Sequence, residues 1–159
     1  MSYSVLFVCL GNICRSPMAE AVFRDRIRRE GLDGVVRVAS AGTGDWHLGH
    51  PPHEGTRGVL DARGISYAGM KAKQLAADDG SRYDLIVAMD SRNERDIRAA
   101  LHPKPQAEII RFLSLVPEKG MADVPDPYYT GNFEETYTLV SEGCERLLAY
   151  VKEKLGNRP

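Results

Sequence analysis

The chain has 159 residues, 21 basic and 22 acidic side chains and a net charge of -1. That length suits one domain with a sizeable core, expected over residues 1–159, and the balanced charge offers no field to attract nucleic acid or an anionic membrane. Three cysteines, an odd count, exclude a disulfide scaffold and fit a reducing, cytoplasmic setting.

The chain opens with Met1-Ser2-Tyr3-Ser4, which holds no basic region, and no small-residue cleavage site follows the next apolar run. A Sec leader is therefore not expected, although non-classical secretion is compatible with this. No apolar run is long enough to span a membrane. Val5–Leu10 predicts a strand and Pro17–Glu30 a helix; Val35–Ala41 and His53–Arg63 repeat that order. Leu85–Met89, Ser91–Leu101 and Ile109–Phe112 continue it as strand, helix and strand. Near-continuous apolarity suits strands buried on both faces of a parallel sheet, and the alternation predicts an open doubly wound α/β sheet. Arg24, Arg26, Arg28 and Arg29 read as a solvated helix face.

Residues 114–132 show no periodic pattern but carry three prolines and Tyr128-Tyr129. Loops of that length in compact domains are functional or disordered. The last helix is the clearest element: Phe133, Tyr137, Val140, Cys144, Leu147, Leu148, Val151 and Leu155 recur at steps of three and four. They predict one apolar stripe laid on the sheet, with Cys144 as inert core.

The chemistry concentrates in Cys9-Leu10-Gly11-Asn12-Ile13-Cys14-Arg15-Ser16, between the first strand and the first helix. Ligands of open α/β sheets bind at the carboxyl ends of the strands. Pro17 suits the first helical position, with Ser16 or Arg15 as cap, so the helix would aim free N–H groups back at the loop. Gly11 and Asn12 most readily accept positive φ, and successive N–H groups then form a nest for a tetrahedral oxyanion. At its floor Cys9 would be a thiolate nucleophile, favoured by the N–H dipoles and Arg15. Arg15 offers a planar fork for two phosphoryl oxygens, Ser16 a hydrogen bond to the sulfur, and Asn12 a side-chain amide to hold the loop.

This loop, with Pro17-Met-Ala-Glu20, the block Ser40-Ala-Gly-Thr-Gly-Asp-Trp46 and Asp126-Pro-Tyr-Tyr129, resembles the low-molecular-weight protein tyrosine phosphatases. The resemblance runs from the first strand to the last helix. It implies a four-stranded parallel sheet of flavodoxin-like type, phosphotyrosine hydrolysis through a phosphocysteine, and no metal or organic cofactor. A phosphotyrosine-containing protein would be the substrate, phosphate or sulfate would occupy the loop, and the chain would be a monomer or weak dimer. A phenol leaving group needs a carboxylic acid above the cup. Residue chemistry nominates Asp123 and Asp126 equally, and the resemblance selects Asp126. Trp46, Tyr128 and Tyr129 are the candidates for stacking a phenyl ring, and the family implies that they wall the crevice.

Cys14 is the candidate resolving thiol for an oxidised Cys9. His47, His50 and His53 repeat every third residue, but Pro51 and Pro52 break any helix that would align them, so no metal site is expected. Many family members carry a histidine against the loop asparagine where this chain has Met70, so loop support must rest on other contacts. Protein-arginine phosphatase is the alternative activity, although such relatives tend to have threonine at the position of Ile13, whose apolar side chain favours a phenyl ring. Arsenate reductase would need further cysteines, and residues 70–95 have none. A non-enzymatic phosphate-binding module would not need Cys9 together with Asp126.

Overall fold

The computed structural model describes residues 2–102 and 104–156; Met1 of the amino-terminal run and the last three residues of the expected domain span lie outside them. Four parallel strands, β1 (Tyr3–Cys9), β2 (Val36–Gly42), β3 (Leu85–Ala88) and β4 (Glu108–Arg111), form one sheet in the order β2-β1-β3-β4. β1 is central, in register with β2 from Tyr3↔Val36 to Cys9↔Gly42 and with β3 from Val5↔Leu85 to Val8↔Ala88. All seven of its residues are buried, as its unbroken apolar character requires. The strand order reverses at β1, so the β1/β3 boundary is the switch point at which this topology leaves a crevice. Cys9 ends β1 at that place.

Strand parity divides the core. Val5, Phe7 and Cys9 face a cluster with Phe23 and Leu147, whereas Leu6 and Val8 face one with Ile97 and Leu101. The first layer contains α1 (Arg15–Arg29), α2 (Glu54–Ala62) and α6 (Phe133–Gly156); α4 (Ser91–Ala100) lies on the other face. Phe7 meets Phe23 and Phe112 edge-on, with centroids 5.8 and 6.2 Å away, contacts that add about 0.5–1.5 kcal/mol each beyond area burial.

The structure moves several expected boundaries. α1 starts at Arg15 with Cys14 as its cap, so Pro17 is the third helical residue and not the first. Its missing N–H still costs nothing there, because the first four N–H groups of a helix have no intrahelical acceptor. A short helix, α3 (Asp79–Arg82), was not expected, and β4 stops before Phe112, which turns into a 3-10 segment, Phe112–Leu115. The aperiodic stretch 114–132 is partly ordered by a second 3-10 turn, Pro117–Lys119, and by α5 (Pro127–Thr130).

In α6, Val140, Cys144, Leu147 and Val151 are fully buried, while Phe133, Tyr137, Leu148 and Leu155 pack at the margin of the core. The stripe runs along α1, where Arg26 donates to Ser141 Oγ at 2.8 Å, and against Phe112. Arg24, Arg28 and Arg29 form the expected solvated face and pair with Glu20 and Asp25, but Arg26 departs from it, half-buried by its bond to α6. Among the described residues no helix is long and apolar enough to cross a membrane.

A Cβ at Gly143 would lie 2.2 Å from the ring of Phe112. Gly143→Ala should therefore destabilise the fold by about 1–3 kcal/mol through overpacking, read as a lower urea midpoint than that of the parent; an unchanged midpoint would show that α6 can slide away at no cost.

Candidate active site

The loop after β1 is held by its carbonyls. Thr43 N donates to Cys9 O at 3.0 Å, Gly44 N to Leu10 O at 2.9 Å and His53 N to Ile13 O at 2.7 Å; Thr56 Oγ1 donates to Cys14 O at 3.1 Å. In a trans peptide the N–H points opposite to the C=O. Anchoring these four carbonyls outward therefore turns the N–H groups of Leu10, Gly11, Cys14 and Arg15 inward. Asn12 takes φ of 56°, the one described non-glycine residue in the left-handed region, and its N–H donates to Cys9 Sγ at 3.3 Å. The close approach of the loop to β2 depends on Gly42, where a Cβ would lie 2.8 Å from Leu10 O and 3.1 Å from Asn12.

The strained residue is secured by its side chain. Asn12 Nδ2 donates to Ser16 Oγ at 2.8 Å and to Ser40 Oγ at 2.9 Å, and its Oδ1 accepts from Lys73 N at 3.0 Å. Ser40 Oγ in turn donates to buried Glu20 at 2.5 Å, and Arg24 pairs with the same carboxylate. Ser16 Oγ lies 3.0 Å from Cys9 Sγ. This chain of bonds supplies the support that Met70, which packs against the core, does not.

Arg15 is 2 % exposed. Nη1 donates to Asp90 Oδ2 at 2.7 Å and to Val124 O at 2.9 Å, and Nη2 pairs with Asp126 Oδ2 at 3.3 Å. Nε is buried without a protein partner. Burial works against the charge, but Cys9, Asp126 and Asp90 outweigh it and hold the guanidinium more firmly protonated than usual. A buried cation whose Nε has no partner in the protein is suited to an anion, because an unsatisfied charged donor is costly.

The two candidate acids separate cleanly. Asp126 lines a crevice of about 330 Å³ above Cys9 and caps α5 by accepting from Tyr128 N at 3.1 Å. Asp123 does not reach the crevice. The Ser91 hydroxyl and N–H, with Arg111 and Arg15 nearby, hold its carboxyl below the usual carboxylate range. Trp46, Tyr128 and Tyr129 rim the same crevice and are 67 %, 51 % and 74 % exposed, so none is a core plug. Leu10, Gly11 and Ile13 complete the wall nearest the sulfur.

Cys14 joins Cys9 at the crevice floor, and burial, reinforced by the charges of Cys9 and Asp126, pushes its thiol up to about 12. Burial alone does the same to Cys144. The histidines play separate structural parts. His53 accepts from Gly55 N to cap α2 and stacks on Phe133 with centroids 5.0 Å apart; His47 enters the crevice wall beside Gly11.

The structure thus brings together Cys9 to Ser16, Trp46, Asp126, Tyr128 and Tyr129. Sequence reasoning missed Asp90 altogether, and it gave Ser40 and Glu20 no part in holding the loop and His47 no place in the crevice wall. Asp90 had a findable signal, an aspartate directly after a predicted strand at the same carboxyl edge as Cys9.

A thiol beneath inward N–H groups, with a forked cation beside it and a carboxylate above, defines a cysteine-dependent phosphatase. A family model described as low molecular weight phosphotyrosine protein phosphatase matches residues 4–157, and the chain belongs to that family. The Bacillus subtilis low molecular weight protein-tyrosine-phosphatase YfkJ is 52% identical over 151 residues, covering 95% of this chain and 97% of the relative. Its Staphylococcus aureus counterpart PtpA is 44% identical over 147 residues, 92% of each. The crystal structure of YfkJ superposes with a TM-score of 0.93 at 51% identity over 97% of both chains. That of a Drosophila arginine phosphatase gives 0.86 at 33%, covering 93% of this chain and 97% of that one.

Gly42→Ala should leave the fold intact but displace the loop. We expect kcat on p-nitrophenyl phosphate to fall on the order of 100-fold, the scale of an ångström of misplacement. A kcat within twofold of the parent would show that the loop does not depend on this contact.

Proposed function

We propose that this chain hydrolyses phosphotyrosine in protein substrates through a phosphocysteine. Cys9 Sγ attacks phosphorus in line, the S–P bond forms as the P–O bond breaks, and Asp126 protonates the departing phenolic oxygen. Water then attacks the phosphocysteine; Asp126 takes its proton, the S–P bond breaks, and Ser16 Oγ hydrogen-bonds the leaving sulfur. Arg15 and the inward N–H groups carry the transition-state charge, so electrostatics and positioning do most of the work. One observation carries the reading: Arg15, six residues from Cys9 in one loop, also binds Asp126 at 3.3 Å and so ties the acid to the nucleophile's cup. A phosphoryl group entering the cup would take up Nε and compete with Asp126 for the fork. Inorganic phosphate and sulfate would occupy the same place as competitive inhibitors.

The crevice depth favours an aryl phosphate, because a phosphoserine side chain is too short to reach Cys9 past walls of Trp46, Tyr128 and Tyr129. Similarity to the Drosophila arginine phosphatase supports phosphoarginine as a second reading. Against it, Ile13 places an apolar side chain, packed on Ala72 and Phe133, where the substrate stem would pass. A cytoplasmic setting remains our reading of the odd, unpaired cysteine complement.

Phosphotyrosine peptide should turn over far faster than phosphoarginine or phosphoserine peptide, and activity should persist in excess chelator. Cys9→Ser should abolish turnover, and Asp126→Asn should lower kcat on the order of 100-fold or more. Comparable kcat/KM on phosphoserine would contradict the depth argument, and faster phosphoarginine turnover would transfer the assignment.

Cys14 also guards the nucleophile in this reading. Peroxide oxidises the Cys9 thiolate to a sulfenic acid, which removes one of the charges that keep Cys14 protonated; Cys14 then gives up its proton and attacks that sulfur, and water leaves as the disulfide forms. Peroxide followed by dithiothreitol should restore the parent's activity but not that of Cys14→Ser; equal recovery would remove this role.

A further inference from the structure

The segment that carries Asp126 has few ties to the rest of the molecule. Between Gly120 and Pro125, backbone anchorage comes from Val124, whose N–H donates to Met89 O at 2.9 Å and whose carbonyl accepts from Arg15 at 2.9 Å. The neighbouring Asp123 supplies the side-chain tie. Its Oδ1 accepts from Ser91 N at 2.8 Å and from Ser91 Oγ at 2.5 Å. Ser91 is the first residue of α4, so its N–H has no intrahelical acceptor. Asp90 satisfies the N–H of Asn93 at 2.7 Å while also holding Arg15. Two carboxylates therefore share one helix end: Asp90 fixes the arginine, and Asp123 fixes the chain that returns to it.

The geometry points to Asp123 as a positioning residue that clasps the acid-bearing segment to the amino end of α4 and so sets Asp126 over Cys9. This rests on the reading of Asp126 as general acid. Asp123 itself touches neither substrate nor nucleophile. Val124, buried beside it at 1 % exposure, holds the segment by its backbone, and Asp126 reaches Arg15 by its own side chain. The clasp adds a fixed point ahead of both, three residues before the acid, and so sets the direction in which the chain enters the crevice.

The clasp should be visible in how strongly the rate depends on the leaving group. A displaced acid harms a poor leaving group more than a good one, whereas a loss of folded enzyme harms both alike. Asp123→Ala should lower kcat/KM on phenyl phosphate about tenfold more than on p-nitrophenyl phosphate, a partial version of an ångström-scale misplacement. Inhibition by inorganic phosphate, which reads the cup, should not weaken, because Asp126 competes with phosphate for Arg15. Asp123→Asn keeps the accepting oxygen and should behave nearly as the parent. In an Asp126→Asn background the Ala substitution should add no further substrate discrimination. Equal losses on both substrates, or none, with Asp126→Asn still showing the steep dependence, would overturn the clasp alone. A shallow dependence in Asp126→Asn itself would overturn the general-acid reading and the clasp with it.

Discussion

A buried guanidinium organises this molecule. Arg15 is 2 % exposed, and a cation so placed is stable only where anions and carbonyls converge on it. Its partners come from separate parts of the chain: Asp90 after β3, and Val124 and Asp126 in the returning segment. One side chain thereby draws the loop after β1, the start of α4 and the acid-bearing strap into a single constellation. Cys9, Asp90 and Asp126 are neighbours because each answers to the same charge.

The fold supplies the frame for that charge. β1 lies between β2 and β3, so the loop leaving it opens at the switch point of the sheet. Backbone and side-chain donors from the segment after β2, from before α2 and from α2 itself capture the loop carbonyls and turn the peptide N–H groups toward the sulfur. Asn12 accepts a left-handed backbone in exchange for three side-chain hydrogen bonds. Glu20 and Ser40 continue that support away from the cup. The loop is thus held in shape by contacts within the protein itself, and such fixed donors are the condition for electrostatic catalysis.

Much of this was legible in the order of residues, for identifiable reasons. β1 and β3, buried on both faces, leave continuous apolar runs, whereas the edge strands β2 and β4 are only partly buried, against that expectation, because each has a neighbour on one side alone; a strand–loop–helix unit with Gly11, Asn12 and a cysteine–arginine spacing is a local signal. Boundaries were less legible. Cys14 caps α1 in place of Ser16 or Arg15 because the first turn is shaped by the cup and not by a side-chain cap. Contacts between distant segments were least legible. Glu20 and Ser40 act through residues 20 and 28 positions away, and no spacing announces their roles; Asp90, 75 positions from Arg15, is signalled by its place after a predicted strand and by nothing that names its partner. The choice between Asp123 and Asp126, balanced on residue chemistry, is a matter of direction: one carboxylate faces Ser91 and the other faces the crevice.

The central claim is that the Cys9 sulfur carries the phosphoryl group between two steps. Rapid quenching of the enzyme with p-nitrophenyl phosphate, followed by peptide mass spectrometry, tests it directly. A phosphoryl group should appear on Cys9, accumulate in Asp126→Asn and be absent in Cys9→Ser. Turnover with no covalent phosphoenzyme, or a phosphoryl group on any other residue, would contradict it.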